Sequence, residues 1–162
     1  MLYRSQLFDL TQAGVRFVVV GGVAAALHGS AQVTFDLDIC FDPAPDNRER
    51  LAAVLRGWRA YLRGADLGLP FELDARALAT SHVLTLTTVH GDVDVMDSVA
   101  GVGDFGAVYQ HSTELDLDAD LRCRLLDLEA LIRAKRAAGR RKDLGHLPEL
   151  EALLELKRRR TR

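Results

Sequence analysis

Hydrophobic and polar positions alternate most clearly between Phe17 and Asp42, in the stretch FVVVGGVAAALHGSAQVTFDLDICFD. Phe17-Val18-Val19-Val20 is an apolar, β-branched run of the length expected of a buried strand. Gly21-Gly22 ends it, and Val23 to Leu27 read as a short Ala-rich helix. Two glycines at such a junction let the backbone turn sharply and let a ligand come close to it. After Gly29-Ser30 the pattern switches to period two. Val33, Phe35, Leu37, Ile39 and Phe41 are expected on one face of a second strand, and Thr34, Asp36, Asp38, Cys40 and Asp42 on the other. Asp36 and Asp38 then point the same way, about 6.6 Å apart along the strand.

The flanking segments read more simply. Residues 3–13 form a short helix with Tyr3, Leu7 and Leu10 on one side and Gly14 as its stop. Pro43 and Pro45 end the second strand. Asp46 and Glu49 have capping-box spacing, and Leu51, Val54, Leu55, Trp58 and Leu62 predict an amphipathic helix over 47–63. Residues 64–70 read as a loop, and 71–79 stay ambiguous. Residues 82–89 and 93–96 are strand-like and joined at His90-Gly91, with Asp92 and Asp94 sharing one face of the second strand. Residues 98–106 read as a Gly-rich loop and 113–126 as one or two short strands. Asp127 is the expected N-cap of a helix from Leu128 to Ala138, stopped by Gly139. Its stripe of Leu128, Leu131 and Ile132 continues to Lys135, which either snorkels or serves a site. A last helix is expected to start near Pro148, to bury Leu150, Leu153 and Leu154, and to fray after Leu156.

The helix–strand alternation makes this an α/β (α+β) chain: a mixed sheet flanked by helices, with residues 1–126 as the core and 127–162 as a C-terminal helical segment packed on it. At 162 residues it can bury a substantial core. Net charge is −2, which argues against a general polyanion binder. The charges are nonetheless segregated: acidic residues gather at 36–42, 92–97 and 114–120, six basic residues fall within 133–142, and a further basic cluster closes the chain from Lys157 to Arg162. Cys40 and Cys123 have no framework spacing, which fits a reducing compartment. With no signal peptide and no long apolar run, a cytoplasmic location is expected.

The chemistry centres on carboxylates. Asp36 and Asp38 from one strand and Asp94 from a neighbour could hold one or two Mg²⁺ ions, whose remaining positions suit water and phosphate oxygens. Gly21-Gly22 would offer backbone N–H groups to phosphates. Ser30 could bind a phosphate or cap the turn before the aspartate strand. The five histidines lack ligand spacing, so no zinc site is expected. His28 is expected to pack, and Cys40 has no base beside it.

The run V-V-G-G-V-A-A-A-L-H-G-S followed by T-F-D-L-D-I resembles the signature of the nucleotidyltransferase superfamily with a DNA-polymerase-beta-like fold. In that superfamily a hydrophobic strand ends in Gly-Gly or Gly-Ser, and a D-x-D strand follows about a dozen residues later. G-D-V-D-V-M resembles the strand of the third carboxylate, and D-L-E-A-L-I-R-A-K-R-A-A-G-R-R-K-D-L resembles the C-terminal motif of small bacterial and archaeal members, the AbiEii-type toxins of toxin–antitoxin systems among them.

The resemblance implies that Asp36, Asp38 and Asp94 are the catalytic, metal-binding residues of a two-metal Mg²⁺ site. It implies that Gly21, Gly22, Ser30, Lys135 and Asp143 bind the nucleotide, Lys135 reaching a phosphate and Asp143 lying by the nucleotide or orienting a basic neighbour. The implied reaction moves a nucleoside monophosphate from an NTP to an acceptor hydroxyl: a tRNA 3′ end, a protein side chain or a small molecule. A cognate antitoxin is an implied partner. Relatives often carry arginine where this chain has Gln32. Two other readings remain: a non-catalytic nucleotide- or partner-binding member of the same fold, and an RNA-binding protein using the basic segment.

Overall fold

The computed structural model describes residues 3–66 and 68–160, so Leu67 of the expected 64–70 loop and Thr161-Arg162 of the basic tail lie outside the described residues. The first half reads α1 (Arg4–Gln12), β1 (Phe17–Val20), α2 (Gly21–Leu27), β2 (Asp36–Phe41), α3 (Pro45–Gly57), β3 (Tyr61–Leu62), α4 (Ala75–Thr80), β4 (Val83–Thr88) and β5 (Gly91–Met96). The second half adds β6 (Ser98–Val99), β7 (Gly103–Asp104), α5 (Phe105–Gln110), β8 (Ser112–Asp118), β9 (Leu121–Leu126), α6 (Leu128–Ala138) and α7 (Arg141–Arg160).

Seven strands form one sheet in the order β3-β4-β5-β2-β1-β9-β8, and β6 pairs only with β7. The sheet is mixed: β2–β5 and β1–β9 are parallel, and the remaining neighbours are antiparallel. The α/β class with a mixed sheet, flanking helices and a C-terminal helical segment is therefore as the sequence pattern implies.

Side-chain alternation explains which strands lie centrally. Leu37, Ile39 and Phe41 of β2 stand in register with Val93 and Val95 of β5 and with Phe17 and Val19 of β1, and all seven are buried. Leu84 and Leu86 of β4 extend that apolar face by one strand. On the opposite face the same register sets Asp36 beside Asp92 and Asp38 beside Asp94, with Thr87 and Thr85 of β4 next in line. At its far end this face is apolar: Cys40 is fully buried and paired with Val18 and Met96. The polar stripe therefore covers only the half of the sheet where β2 begins.

Several boundaries depart from the sequence pattern. The aspartate strand starts at Asp36 rather than Val33, and Val33 and Phe35, expected on the core face, are 74% and 84% exposed. Helix α3 ends six residues before the expected 63. Ala60 N donates to Leu55 O and Arg59 N to Arg56 O, with Arg59 in the left-handed region at φ 54°, a Schellman-type stop built without glycine. Leu62 is consequently a strand residue opposite Leu86. The N-cap of α3 is Ala44 with Pro45 at the first turn, and Asp46 pairs with Arg16 instead of capping.

The ambiguous stretch 71–79 contains α4, capped by the Asp74 carboxylate accepting from Ala77 N at 2.7 Å. The expected loop 98–106 holds the β6–β7 ribbon and the start of α5, capped by Asp104. Residues 113–126 resolve into the β8–β9 hairpin. Asp127 takes the N-cap position of α6, but its carboxylate accepts from Thr113 Oγ1 rather than from the helix. Gly139 closes α6 at φ 62° as expected.

Helix α7 begins at Arg141, seven residues before Pro148, which sits inside it and deprives the Leu144 carbonyl of its helical donor. Burial of Asp143 at its start and of Leu150 beyond the proline gives the helix two anchors that its proline alone would hide. The tail stays helical to Arg160, where Arg158 pairs with Glu129 of α6 and Arg159 with Glu155. No helix among the described residues is long and apolar enough to cross a membrane.

Ile39 lies fully buried at the centre of the sheet, between β1 and β5. Ile39→Ala removes three buried carbons there and is expected to lower unfolding stability by about 2–5 kcal/mol, measured by urea denaturation.

Candidate functional site

The register that pairs β2 with β5 brings three sequence-distant carboxylates together. Asp38 stands directly beside Asp94, with Asp36 two residues up its own strand. One carboxylate oxygen from each of Asp36, Asp38 and Asp94 lies within 4.8 Å of the other two, and all three residues are half-buried. No other group of three or more carboxylate, thiol or imidazole side chains among the described residues meets that spacing.

Charge crowding of this kind has a measurable electrostatic signature. Burial, followed by the Asp36 and Asp94 carboxylates, pushes the Asp38 carboxyl up to about 7, against the opposing pull of the Gly22 N–H and Lys142. The Asp94 carboxyl is also raised, by burial first, with the Arg63 guanidinium working against it and Asp36 and Asp92 with it. Arg63, just after β3, donates from Nη2 to Asp94 Oδ1 at 2.7 Å and places Nε 3.1 Å from Asp92 Oδ2. Thr34 Oγ1 donates to Asp36 Oδ1 at 3.1 Å.

The two glycines are explained by what presses against them. A Cβ on Gly21, whose φ is +61°, would lie 2.1 Å from Asp38 Oδ2; one on Gly22 would lie 2.5 Å from Thr34 Oγ1. The Gly22 N–H acts on the Asp38 carboxyl and works against its upward shift. Both glycines are part of α2, not a linker before it.

The remaining candidates form a second group on the C-terminal helices. Lys135, on the inward stripe of α6, is 13% exposed, and its Nζ lies 3.4 Å from Asp143 Oδ1 and 3.4 Å from His146 Nδ1. Asp143 is buried and also lies 3.7 Å from Arg140 Nε. Of the two readings of Asp143, the contacts match orientation of basic neighbours. Ser30 Oγ donates to Glu149 of α7 at 2.9 Å. No contact in the described residues joins Lys135 or Asp143 to the three carboxylates; the basic side chain that faces Asp38 electrostatically is Lys142.

Sequence reasoning passed over Arg63, Thr34 and Lys142. Arg63 carries no pattern of its own, and only the pairing of β3 with β4 brings it to β5. Lys142 was one of six basic residues in its segment, with nothing in the spacing to single it out. His28 packs as expected, its Nε2 2.9 Å from Leu126 O. Cys40 shares the aspartate face, but burial raises its thiol to about 12, so it is no nucleophile. A cavity of about 580 Å³ lined by Arg16, Phe17, Phe105, Tyr109, Arg122 and Arg124 contains none of the candidate residues.

The donor set suits a hard divalent cation. Three carboxylates with no thiolate or imidazole match the oxygen preference of Mg²⁺ or Mn²⁺, and partial exposure leaves room for water or substrate oxygens to complete the coordination. Burial first, and then the Asp36 and Asp94 carboxylates, raise the Asp38 carboxyl.

No protein-family model matches the chain, and no curated relative matches it. Among solved structures, the chain is similar to the crystal structure of a "putative nucleotidyltransferase" from Thermotoga maritima. The two are 16% identical, with 96% of this chain and 90% of that chain covered and a TM-score of 0.49.

Asp38 supplies a test of this electrostatic picture in metal-chelating buffer. Its carboxyl titrates near 7 in the fold but near the ordinary value of about 3.9 when unfolded, so between these values the folded state keeps a proton that the unfolded chain releases. Stability from this group is full below about pH 4 and is lost as pH rises through about 7. Thermal unfolding from pH 4 to 8 is expected to show Asp38→Asn gaining on the wild type as pH rises; parallel profiles would refute the assignment.

Proposed function

We propose that this chain is a Mg²⁺-dependent nucleotidyltransferase that moves a nucleoside monophosphate from an NTP to an acceptor hydroxyl and releases pyrophosphate. The observation that carries the reading is the meeting of Asp36, Asp38 and Asp94, oxygen to oxygen within 4.8 Å, on two adjacent parallel strands. The D-x-D strand after a Gly-Gly turn, and the third aspartate on a later strand, are the pattern by which the sequence resembles that superfamily.

In this reading Asp36, Asp38 and Asp94 hold the metal. Bound Mg²⁺ would supply charge stabilisation to the attacking and leaving oxygens. Thr34 orients Asp36 through its hydroxyl, and Arg63 holds Asp94 from the other side. Asp94, whose carboxyl is raised, is suited to accept the proton of the acceptor hydroxyl. Gly21 and Gly22 let the triphosphate approach a turn where no side chain fits. Lys142, whose charge acts on Asp38, and Lys135, held by Asp143, offer cations to the phosphates. Ser30 contributes by shaping the turn before β2.

The acceptor would be a tRNA 3′ end, a protein side chain or a small molecule. The C-terminal motif, which resembles AbiEii-type toxins, favours a cytoplasmic toxin held in check by an antitoxin. A non-catalytic nucleotide-binding member remains the second reading, favoured by Gln32 where relatives often carry arginine.

Pyrophosphate release is the deciding measurement, with each of the four NTPs and Mg²⁺, with and without total tRNA. Release that requires one NTP and falls to background in an Asp36→Ala/Asp38→Ala variant is the expected result. Activity that survives this double substitution would refute the site. Stabilisation by NTP without any release would transfer the assignment to the non-catalytic reading.

A further inference from the structure

The segment from Gly29 to Phe35 leads from α2 into β2, and no strand pairing holds it, since the ladders with β1 and β5 begin at or after Asp36. Its fixed points are few. Tyr3 Oη donates to the Thr34 carbonyl at 3.2 Å. At residues 30 and 31 two groups converge on one carboxylate of α7. Ser30 Oγ donates to Glu149 Oε2 at 2.9 Å and Ala31 N to Oε1 at 2.7 Å. Gln32 N donates back to Ser30 Oγ at 3.2 Å and closes the turn. The Ala31 N–H, and then the Ser30 hydroxyl, hold the Glu149 carboxyl below its usual range, as a carboxylate bound by two donors should be.

Asp143, His146 and Glu149 recur every third residue and so share one face of α7. The first two hold Lys135 of α6, and the third holds the turn before β2. One helix face thus secures both the lysine and the approach to the aspartate strand. The approach matters because Thr34, two residues beyond the gripped turn, donates to the Asp36 carboxylate and packs over Gly22.

We propose that Glu149 is a positioning residue for the cation centre: by clamping residues 30 and 31 to α7 it sets Thr34, and through Thr34 the Asp36 carboxylate, in place for metal. The proposal rests on the cation-binding reading given above. Gln32 takes part through its backbone, whose N–H closes the turn on Ser30.

The test is Mn²⁺ binding by electron paramagnetic resonance, together with hydrogen exchange of residues 31–36 in metal-free protein. It compares wild type, Glu149→Ala, Glu149→Gln and Glu151→Ala. Glu151 is the control for lost charge, because it lies on the same helix and pairs with Arg136. Glu149→Ala is expected to weaken Mn²⁺ binding about tenfold, at the low end for lost support of a metal ligand, and to speed exchange across 31–36. Glu151→Ala should match the wild type in both readouts. Glu149→Gln keeps the shape and one acceptor oxygen, so it should fall between and guards against a misfolded alanine variant. Unchanged exchange and Mn²⁺ affinity in both Glu149 variants would overturn the positioning role and leave the cation reading intact. A wild type that binds no Mn²⁺ would overturn both.

Discussion

Asp38 is wedged into the turn between β1 and α2, so close to Gly21 that a Cβ there would come within 2.1 Å of its Oδ2. Much of the surrounding structure follows from accommodating that carboxylate beside two others. Gly21 has to be a glycine both for space and for its left-handed φ. The missing Cβ of Gly22 makes room for Thr34, which in turn bonds Asp36. The double glycine therefore makes room for Asp38 and Thr34.

The sheet resolves the cost of this concentration of charge by segregating it. On one face β1, β2, β4 and β5 present Phe17, Val19, Leu37, Ile39, Phe41, Leu84, Leu86, Val93 and Val95, all buried. On the other, the carboxylates occupy the end where β2 begins, while Cys40, Val18 and Met96 fill the other end. Arg63 bonds Asp94 directly, and the charge of Lys142 acts on Asp38. Burial and the neighbouring Asp36 and Asp94 carboxylates nonetheless push the Asp38 carboxyl up to about 7. The C-terminal helices complete the arrangement from outside the sheet, with α7 reaching both Lys135 and the turn ahead of the aspartates.

Local pattern and tertiary context contributed differently along the chain. The strand Phe17–Val20, the helix Leu128–Ala138 with its Gly139 stop, and the facing of Asp92 and Asp94 were readable because each depends on near neighbours: a β-branched run, a 3.6-residue stripe, a period of two. The error at Val33 and Phe35 has the same origin. Alternation extends back to Val33 in the sequence, but a strand needs partners, and β1 and β5 offer none before Asp36. Helix α3 overran because its stop uses Arg59 in a left-handed conformation, where glycine would have announced it. Pro148 misled because its preference for a first turn was outweighed by anchors at Asp143 and Leu150 that no local rule contains.

By itself, then, the sequence determined the class of fold, the central strands, and that Asp36 and Asp38 share one face and Asp92 and Asp94 another, since alternation dictates which side chains share a face of one strand. That Asp94 meets Asp38 was decided by the parallel register of β2 and β5, a pairing between segments more than fifty residues apart in the chain. The same is true of Arg63 on Asp94, Lys142 toward Asp38 and Glu149 on the Ser30–Gln32 turn. A charge on a loop or helix face has no preferred partner in the linear chain. Its partner is chosen only when packing of the apolar faces brings the elements together and burial makes an unpaired charge costly.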